Sequence, residues 1–321
     1  MTDLKRADDV HAVEIALPHG LSAEELILRA YDGALVMIPP NDASLELCAF
    51  ARELAEEAFA PYKPTTAQHH LSVDEFVERA GPLKPRFIHH PRTRELQKKY
   101  LAELGFDSER TYLDVPRMRV ASSDGYLTSG IGHAQPAHRD TWWSAPKQQI
   151  QFWSPIYEMS RYSCMEFFPY YRAAPIENTS EHFNIYRWNA TGRKNAANYR
   201  HGEDKRGIPQ PAEDFKSPGA VQIVLPVGGM VMFSADQLHA TSTNTTGKTR
   251  FSVDFRIVDV EHVRDDLGAA MVDNHSTGTA LRDFRRISDD TEFPAHLVAQ
   301  NDSGEIGDDA MLVFKPEAAG T

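Results

Sequence analysis

Cysteine is scarce in this sequence: Cys48 and Cys164 are the only two among 321 residues. Two cysteines cannot build a disulfide framework, so disulfides do not organise the fold. A chain of this length is able to bury a substantial core, and its 41% of hydrophobic and 25% of charged residues are ordinary for a globular protein. We expect both cysteines to be reduced and buried.

Long apolar runs are missing as well. The longest run, over residues 221–233, is interrupted by Pro226, Gly228 and Gly229 and is too short to span a membrane. Residues 1–14 mix both charges around no apolar centre, so they do not resemble a secretory signal. We therefore expect a cytoplasmic protein without a membrane partner.

Positive charge is also in short supply. The sequence has 34 lysine and arginine residues against 46 aspartate and glutamate residues, which gives a formal net charge of −12 and a pI near 5.6. No basic cluster is interleaved with aromatic residues, as a phosphate-backbone partner would require. We expect no nucleic-acid partner, and the sequence gives no indication of the oligomeric state.

The chain changes character after its first third. Helical periodicity dominates at first, whereas short segments with alternating apolar and polar residues follow from residue 115 onward. The predicted helical elements are 22–31, a helix beginning near residue 42, 72–79, 93–104 and 280–286. The predicted strands are 33–38, 115–121, 148–156, 164–168, 220–225, 229–233 and 250–258. Short strands at close spacing favour an antiparallel barrel or sandwich over β-α-β units.

The segment His138-Arg139-Asp140 carries the first candidate for chemistry. Residues i and i+2 of a strand point to the same side, so this imidazole and this carboxylate can reach one ion. His239, just beyond a predicted strand, is the candidate third ligand. Two histidines and one carboxylate on one face leave adjacent positions open, as in non-haem iron(II) oxygenases. Taken alone the pair is weak, because with 14 histidines about one such triplet is expected by chance.

Arg250 strengthens this interpretation. It follows His239 by eleven residues, and the turn-forming residues 244–247 lie between them, so we expect a hairpin that brings both into one cavity. An arginine inside a barrel needs an anionic partner, and a dicarboxylate would supply one, with Ser252 adding a hydroxyl. The alternative is a structural ion pair, for example with Asp254.

These segments together resemble the Fe(II)/2-oxoglutarate oxygenases, and most of all the phytanoyl-CoA dioxygenase-like group. The segments are His138-Arg-Asp140, Pro226-Val-Gly-Gly-Met-Val-Met-Phe-Ser-Ala-Asp-Gln-Leu-His239-Ala-Thr-Ser-Thr-Asn244, Arg250-Phe-Ser252 and Met165-Glu-Phe-Phe-Pro-Tyr170. The resemblance covers roughly residues 112–258.

The resemblance implies a fold and a set of ligands. It implies a mainly β chain with flanking helices around a double-stranded β-helix, the jelly-roll or cupin-like core. We expect one domain, with a helical part over 1–111, the core over 112–258, a lid-like insertion over 171–216 and a tail over 259–321. Iron(II) would bind His138, Asp140 and His239, and the C5 carboxylate of 2-oxoglutarate would bind Arg250 with Ser252.

The resemblance also implies a reaction, in which O₂ and 2-oxoglutarate are co-substrates and succinate and CO₂ are released. Halogenating relatives carry Gly or Ala where this chain has Asp140, so hydroxylation, desaturation or cyclisation at an unactivated C–H bond is expected instead. The contact to the metal-side carboxylate of 2-oxoglutarate is less defined. Gln135 is preferred, with Thr128, Gln149 and Gln151 as alternatives.

Four residues are candidates for contacting the substrate, and each has a structural alternative. Trp142 and Trp143 line either the pocket or the core. Arg256, in phase with Arg250, binds a substrate carboxylate or pairs with Asp254. Arg187 holds a polar substrate or packs within the insertion. His133 is a candidate neighbour of the metal site. We expect a small polar substrate, such as an amino acid or a natural-product intermediate.

Two other functions fit part of the pattern. A cupin-like barrel could use the same ligands for zinc or manganese, as an isomerase or hydrolase that does not use O₂. Arg250 and Ser252 argue against this, since such chemistry needs no dicarboxylate site. A non-catalytic barrel that serves as a binding module is the third possibility.

Overall fold

Residues 14–132, 134–202, 205–214 and 219–303 are described by the computed structural model. Their strands are β1 (Ile15–Ala16), β2 (Leu35–Ile38), β3 (Thr111–Leu113), β4 (Arg117–Ala121), β5 (Ile150–Pro155), β6 (Met165–Phe167), β7 (Val221–Ile223), β8 (Met230–Ser234), β9 (His239–Thr241), β10 (Arg250–Asp259) and β11 (Arg285–Arg286). Their helices are α1 (Ala23–Tyr31), α2 (Asp42–Phe59), α3 (Val73–His89), α4 (Pro91–Glu103), α5 (Ile185–Arg187), α6 (Val260–Arg264) and α7 (Ala295–Asn301).

The strands form two sheets whose central order is that of a jelly roll. The larger sheet runs β1-β2-β8-β5-β10-β3-β11, with β4 also paired to β10. The smaller sheet runs β7-β6-β9, and an antiparallel bridge between His138 and His239 extends it. Successive core strands are thus divided between two facing sheets, as in a double-stranded β-helix. The jelly-roll core with flanking helices is confirmed.

Alternation along β10 separates the two faces of the larger sheet. One set of its residues packs in the main hydrophobic core with α2, α3 and α4, namely Phe251, Val253, Phe255 and Ile257. The intervening residues face the smaller sheet, namely Arg250, Ser252, Asp254 and Arg256. All ten residues of β10 are buried because helices cover one face and the second sheet covers the other.

A second hydrophobic cluster fills part of the space between the sheets. Leu35, Trp153, Val231 and Phe233 of the larger sheet meet Met165, Phe167, Ile223 and Leu225 from the side of the smaller sheet. This apolar packing joins the two sheets. The charged inward-facing residues of β4 and β10 lie beyond it.

The described part of the insertion over 171–216 contains short helical turns and connects two parts of the chain. On one side Ile185 N donates to Thr277 O at 3.3 Å, and on the other Thr128 N donates to Arg200 O at 3.0 Å. Gly130 has a φ of +73°, and a Cβ there would lie 2.3 Å from the carbonyl oxygen of Tyr199. Glycine therefore permits the close approach of the insertion to the loop after β4.

Several predicted elements need correction. Helix α3 continues ten residues beyond the predicted end at Arg79, through Pro82 and Pro85, since Leu83 and Phe87 extend its buried face. The helix predicted over 280–286 is a 3₁₀ turn followed by β11, because the main chain there pairs with β3. Strands β1, β3, β9 and β11 were not predicted.

Two expectations from composition can be compared with the structure. Cys48 and Cys164 are both free and buried, as predicted. Among the described residues, no helix combines the length and the apolar character needed to cross a membrane.

Candidate metal centre

His138, Asp140 and His239 meet between the two sheets. His239 opens β9, and its main chain exchanges two hydrogen bonds with that of His138, at 2.9 and 3.0 Å. This bridge places the two imidazole centroids 4.4 Å apart. Asp140 begins the 3₁₀ turn Asp140–Trp143, with its Oδ1 3.6 Å from Nε2 of His138. One ligand atom from each residue lies within 4.8 Å of the other two.

Both imidazoles are oriented by main-chain carbonyl groups. Nδ1 of His138 donates to Pro136 O at 2.8 Å, and Nδ1 of His239 donates to Gln237 O at 2.9 Å. Each ring therefore keeps Nε2 free for an ion, as is usual for metal-binding histidines. Two imidazoles and a carboxylate form a donor set that suits iron(II).

The protonation states of this group also suit a metal. Burial, together with the adjacent His138, lowers the pKa of His239 to about 4. Burial alone would raise the pKa of Asp140, but nearby His138, His239 and Arg256 outweigh it and hold that pKa well below its usual range. At neutral pH His239 is therefore an uncharged ligand and Asp140 an anionic one.

Arg250 lies on the inner face of the larger sheet, and not all of its hydrogen-bond donors have a partner among the described residues. Its guanidinium lies 5.3 Å from the ring centroid of Trp153, and Nη1 donates to Ser163 O at 3.3 Å. Its Nε and the hydroxyl of Ser252 are buried without a hydrogen-bond partner. No carboxylate among the described residues lies within ion-pair distance of Arg250, and burial lowers its pKa to about 10. The structural ion pair with Asp254, considered above as an alternative, is absent from this part of the chain.

The route by which His239 and Arg250 approach each other differs from the prediction. His239 does not end a strand that forms a hairpin with β10. Strand β9 belongs to the smaller sheet and β10 to the larger one, so these residues face each other across the sandwich. The connecting turn was predicted correctly: the Asn244 side chain donates to Lys248 O and accepts from Thr246 N.

The glutamines proposed for the second carboxylate lie in different places. Gln135 is beside β9, where its carbonyl accepts from Thr241 N at 3.0 Å, and the structure gives no contact for its side chain. Gln149 Nε2 donates to Asp140 at 3.3 Å, and Gln151 is buried with its Oε1 unpaired. The role of Gln135 stays a prediction, and His133 lies outside the described residues.

The two adjacent tryptophans occupy different surroundings. Trp142 is fully buried in a small apolar cluster, and its Nε1 donates to Asp273 at 2.7 Å. The structure therefore does not support a substrate-contacting role for Trp142. Trp143 packs edge-on to His138 and, in the insertion, to Phe183 and Trp188, and its Nε1 has no partner. Trp143 thus connects the metal site to the insertion.

The two arginines predicted to contact substrate also differ from expectation. Arg187 is exposed, so the predicted substrate role for it is not supported. Arg256 faces the space between the sheets, but its guanidinium is paired with Asp254 at 2.8 Å and Asp114 at 3.5 Å. The alternative of an ion pair with Asp254 is the correct one for Arg256.

A chain of ion pairs on the inner face was missed by the sequence analysis. Arg119 contacts Asp254 at 2.7 Å, Asp254 contacts Arg256, Arg256 contacts Asp114, and Asp114 contacts Arg117 at 3.2 Å. The sequence could have indicated it, because Arg117 and Arg119 are two residues apart on β4 and therefore point to the same side. These arginines face inward because the intervening Met118 and Val120 pack on the helices.

Arg139, the middle residue of the His-x-Asp segment, is a structural group. It is fully buried, and its Nε lies 3.1 Å from Asp273. Its Nη1 donates to Asp236 O, while Nη2 donates to Tyr171 O at 2.6 Å and Ala174 O at 3.1 Å. Arg139 therefore fastens the start of the insertion and the C-terminal segment to the metal-binding turn.

A second group of potential metal ligands lies elsewhere, at Glu24, Asp259 and His262. Arg110 is 2.9 Å from Asp259 and 3.6 Å from Glu24, and His262 is 2.9 Å from Glu24. Since an arginine already neutralises these carboxylates, we interpret this group as an ion-pair network.

Comparisons with known proteins give likenesses only among solved structures. No family model and no curated protein matches the sequence. EvdO2 from Micromonospora carbonacea var. aurantiaca, complexed with 2-oxoglutarate, is 14% identical with a TM-score of 0.43, over 72% of this chain and 90% of that one. The epimerase SnoN, in complex with Fe³⁺, alpha-ketoglutarate and nogalamycin RO, is 18% identical with a TM-score of 0.38, over 74% and 83%. The non-heme monooxygenase ThoJ is 12% identical with a TM-score of 0.40, over 91% and 89%. Because all three TM-scores are below 0.5, we infer nothing about this chain from these similarities.

Proposed function

We propose that this protein is a non-haem iron(II)- and 2-oxoglutarate-dependent oxygenase. It oxidises an unactivated C–H bond of a small polar molecule, by hydroxylation, desaturation or cyclisation, and releases succinate and CO₂. The observation that carries the proposal is that two groups of residues face each other across the space between the two sheets. The three-residue ligand set lies on one side, and a buried arginine with unused donors lies on the other.

The residues present fit both groups. His138 and His239 present Nε2, and Asp140 is ionised, so the set would hold iron(II) and leave positions open for other ligands. The unpaired Nε of Arg250 and the Ser252 hydroxyl would bind the far carboxylate of 2-oxoglutarate. Iron(II) with 2-oxoglutarate supplies the oxidising power drawn from O₂.

The surrounding groups orient the metal ligands and shield them from solvent in this proposal. Main-chain carbonyls fix the two imidazoles, and Gln149 holds the second oxygen of Asp140. In this proposal the insertion, which packs on Trp143 beside His138, would limit the access of water to the ligand set. Exclusion of water protects a reactive site from side reactions.

The test is anaerobic absorption spectroscopy of the protein with iron(II) and 2-oxoglutarate, in wild type, Arg250→Ala and Arg250→Lys. We expect a weak visible charge-transfer band in the wild type, its loss in Arg250→Ala and a partial effect in Arg250→Lys, which keeps the charge but not the planar fork. Iron binding in all three proteins is the control. Bound iron without a band would contradict the proposal and favour a barrel that does not use O₂.

A further inference from the structure

The opening between the sheets holds more positive charge than iron and 2-oxoglutarate require. Six of the described cationic side chains lie close to one another around this space, namely Lys84, Arg117, Arg119, Arg193, Arg250 and Arg256. Four carboxylates lie near them, namely Asp114, Asp140, Asp254 and Asp283. Iron(II) and the 2-oxoglutarate dianion carry equal and opposite charges, so their binding leaves this excess unchanged. In a chain with a net charge of −12, a local cationic excess indicates an anionic ligand.

Arg119 marks the point where solvent enters. It lies on the inner face of β4, opposite Ser252 in the strand register, yet its side chain is 44% exposed. Because β4 pairs with β10 alone among the described strands, Arg119 lies at an edge of the larger sheet, where the space between the sheets meets solvent. Among the described residues, only Nε of Arg119 has a hydrogen-bond partner, Asp254, so both terminal nitrogens are available to a ligand. Since Arg119 is opposite Ser252 in the strand register, the opening adjoins the residues proposed to bind 2-oxoglutarate.

Lys84 and Arg193 reach the same opening from two other elements. Nζ of Lys84, on α3, donates to Ile131 O at 2.7 Å. The neighbouring Gly130 abuts the main chain of Ala196 in the insertion, which carries Arg193 a few residues earlier. Among the described residues, neither Lys84 nor Arg193 has a carboxylate within ion-pair distance.

The electrostatics agree with this placement. Burial lowers the pKa of Lys84 to about 7, and the charges of Arg119 and Arg206 contribute to the shift. Burial also lowers the pKa of Arg193 to about 10, with Arg256 and Arg119 among the causes. Unpaired cations held close together are costly in the ligand-free protein, and a bound anion would remove that cost.

We propose that the substrate is a small organic anion whose carboxylate or phosphate group is bound at this opening by the terminal nitrogens of Arg119, together with Lys84 and Arg193. This inference rests on the proposed function and names its substrate class. It places the anionic group at the solvent side, between β4, α3 and the insertion, and the rest of the molecule directed toward the metal ligands.

The test titrates two probes, benzoate and inorganic phosphate, into protein loaded with manganese(II) and saturating 2-oxoglutarate in a chloride-poor buffer. We expect one probe to bind, and which one binds distinguishes a carboxylate from a phosphate substrate. The affinity should fall at least about tenfold in Arg119→Gln and about threefold in Lys84→Gln and Arg193→Gln. Lys99→Gln, which removes an exposed lysine paired with Glu46 on α2, is the control and should bind normally.

Two outcomes overturn the inference. One is that neither probe binds, or that the affinity is the same in all variants. The other is that Arg119→Gln loses the charge-transfer band of iron(II) with 2-oxoglutarate, which would assign Arg119 to the co-substrate. Arg119→Gln could fold poorly because Asp254 loses a partner. In that case the affinities of Lys84→Gln and Arg193→Gln test the inference, since neither substitution breaks an ion pair among the described residues. A missing band in the wild type contradicts the proposed function, whatever the anion titration gives.

Discussion

Arg139 and Arg250 are both buried near the metal ligands, yet the fold uses them in opposite ways. Every nitrogen of the Arg139 guanidinium contacts an acceptor, including the carboxylate of Asp273. Arg250 has a single hydrogen bond to a carbonyl and an unused Nε. A satisfied guanidinium stabilises the fold, whereas an unsatisfied one costs stability that only a ligand restores.

The adjacent tryptophans repeat this contrast. The indole N–H of Trp142 is used by Asp273, in the same network as Arg139, while that of Trp143 is unused next to His138. The metal ligands therefore lie between a region in which the donors of Arg139 and Trp142 are used and a region in which, among the described residues, Arg250 and Trp143 keep unused donors. Hydrogen-bond saturation distinguishes structural from ligand-binding residues better than burial does, because both regions are buried.

Replacing Arg139 with methionine should have the largest effect. Arg139→Met leaves Asp273 buried without its cation and removes three bonds to carbonyls, so we expect a loss of about 3–5 kcal/mol in the free energy of unfolding. Urea denaturation measures this. A loss below about 1 kcal/mol would mean that Arg139 is not a structural residue, in contrast to what its hydrogen bonds indicate.

The same substitution at Arg250 should affect binding instead. Arg250→Met leaves no carboxylate behind, so we expect the free energy of unfolding of the ligand-free protein to change by less than about 1 kcal/mol. The dissociation constant of 2-oxoglutarate with manganese(II) should rise at least about thirtyfold, which corresponds to about 2 kcal/mol. Calorimetric titration beside urea denaturation checks both. Unfolding as severe as in Arg139→Met would make Arg250 structural.

The metal ligands and the inward-facing Arg250 were accessible to sequence reasoning in part. Period-two alternation is local, so the inward direction of Arg250 and Ser252 followed from the β10 sequence alone. His138 and Asp140 lie two residues apart, and the motif identified them. The placement of His239 on a separate sheet did not follow, because a three-residue strand such as β9 has almost no sequence signal.

The cationic opening was beyond sequence reasoning for a different reason. Arg119, Lys84 and Arg193 come from a strand, a helix and an insertion, and only long-range packing brings them together. Arg187 and Arg193 are equally plausible from the sequence, yet Arg187 is exposed, whereas Arg193 is partly buried, and burial together with the charge of Arg256 lowers its pKa. The same limit explains the misplaced helix at 280–286, where pairing with β3 decided the local structure.

An effect of intermediate size is expected in the pH dependence of anion binding. The pKa of Lys84 is about 7, because burial and then Arg119 and Arg206 disfavour the ammonium ion, while Asp254 favours it. Lys84 is therefore charged below pH 7 and neutral above it. If benzoate is the probe that binds, its affinity should fall about tenfold between pH 6 and pH 8, because binding of the anion requires protonated Lys84. Titration of Lys84→Gln should give a flat profile, and a flat wild-type profile would separate Lys84 from the opening.

The smallest effect is expected at Trp143, whose ring contacts Phe183 and Trp188 of the insertion. Trp143→Phe should weaken these aromatic contacts by about 1 kcal/mol, so the amides of residues 183–192 should exchange about fivefold faster while global stability is kept. Hydrogen–deuterium exchange measures this directly. Trp142→Phe is the matched control: it should lower global stability through the lost bond to Asp273, without a selective change at 183–192. Equal exchange in wild type and Trp143→Phe would mean that the insertion is held by its other contacts, such as that between Ile185 and Thr277, and that Trp143 is not its link to the metal site.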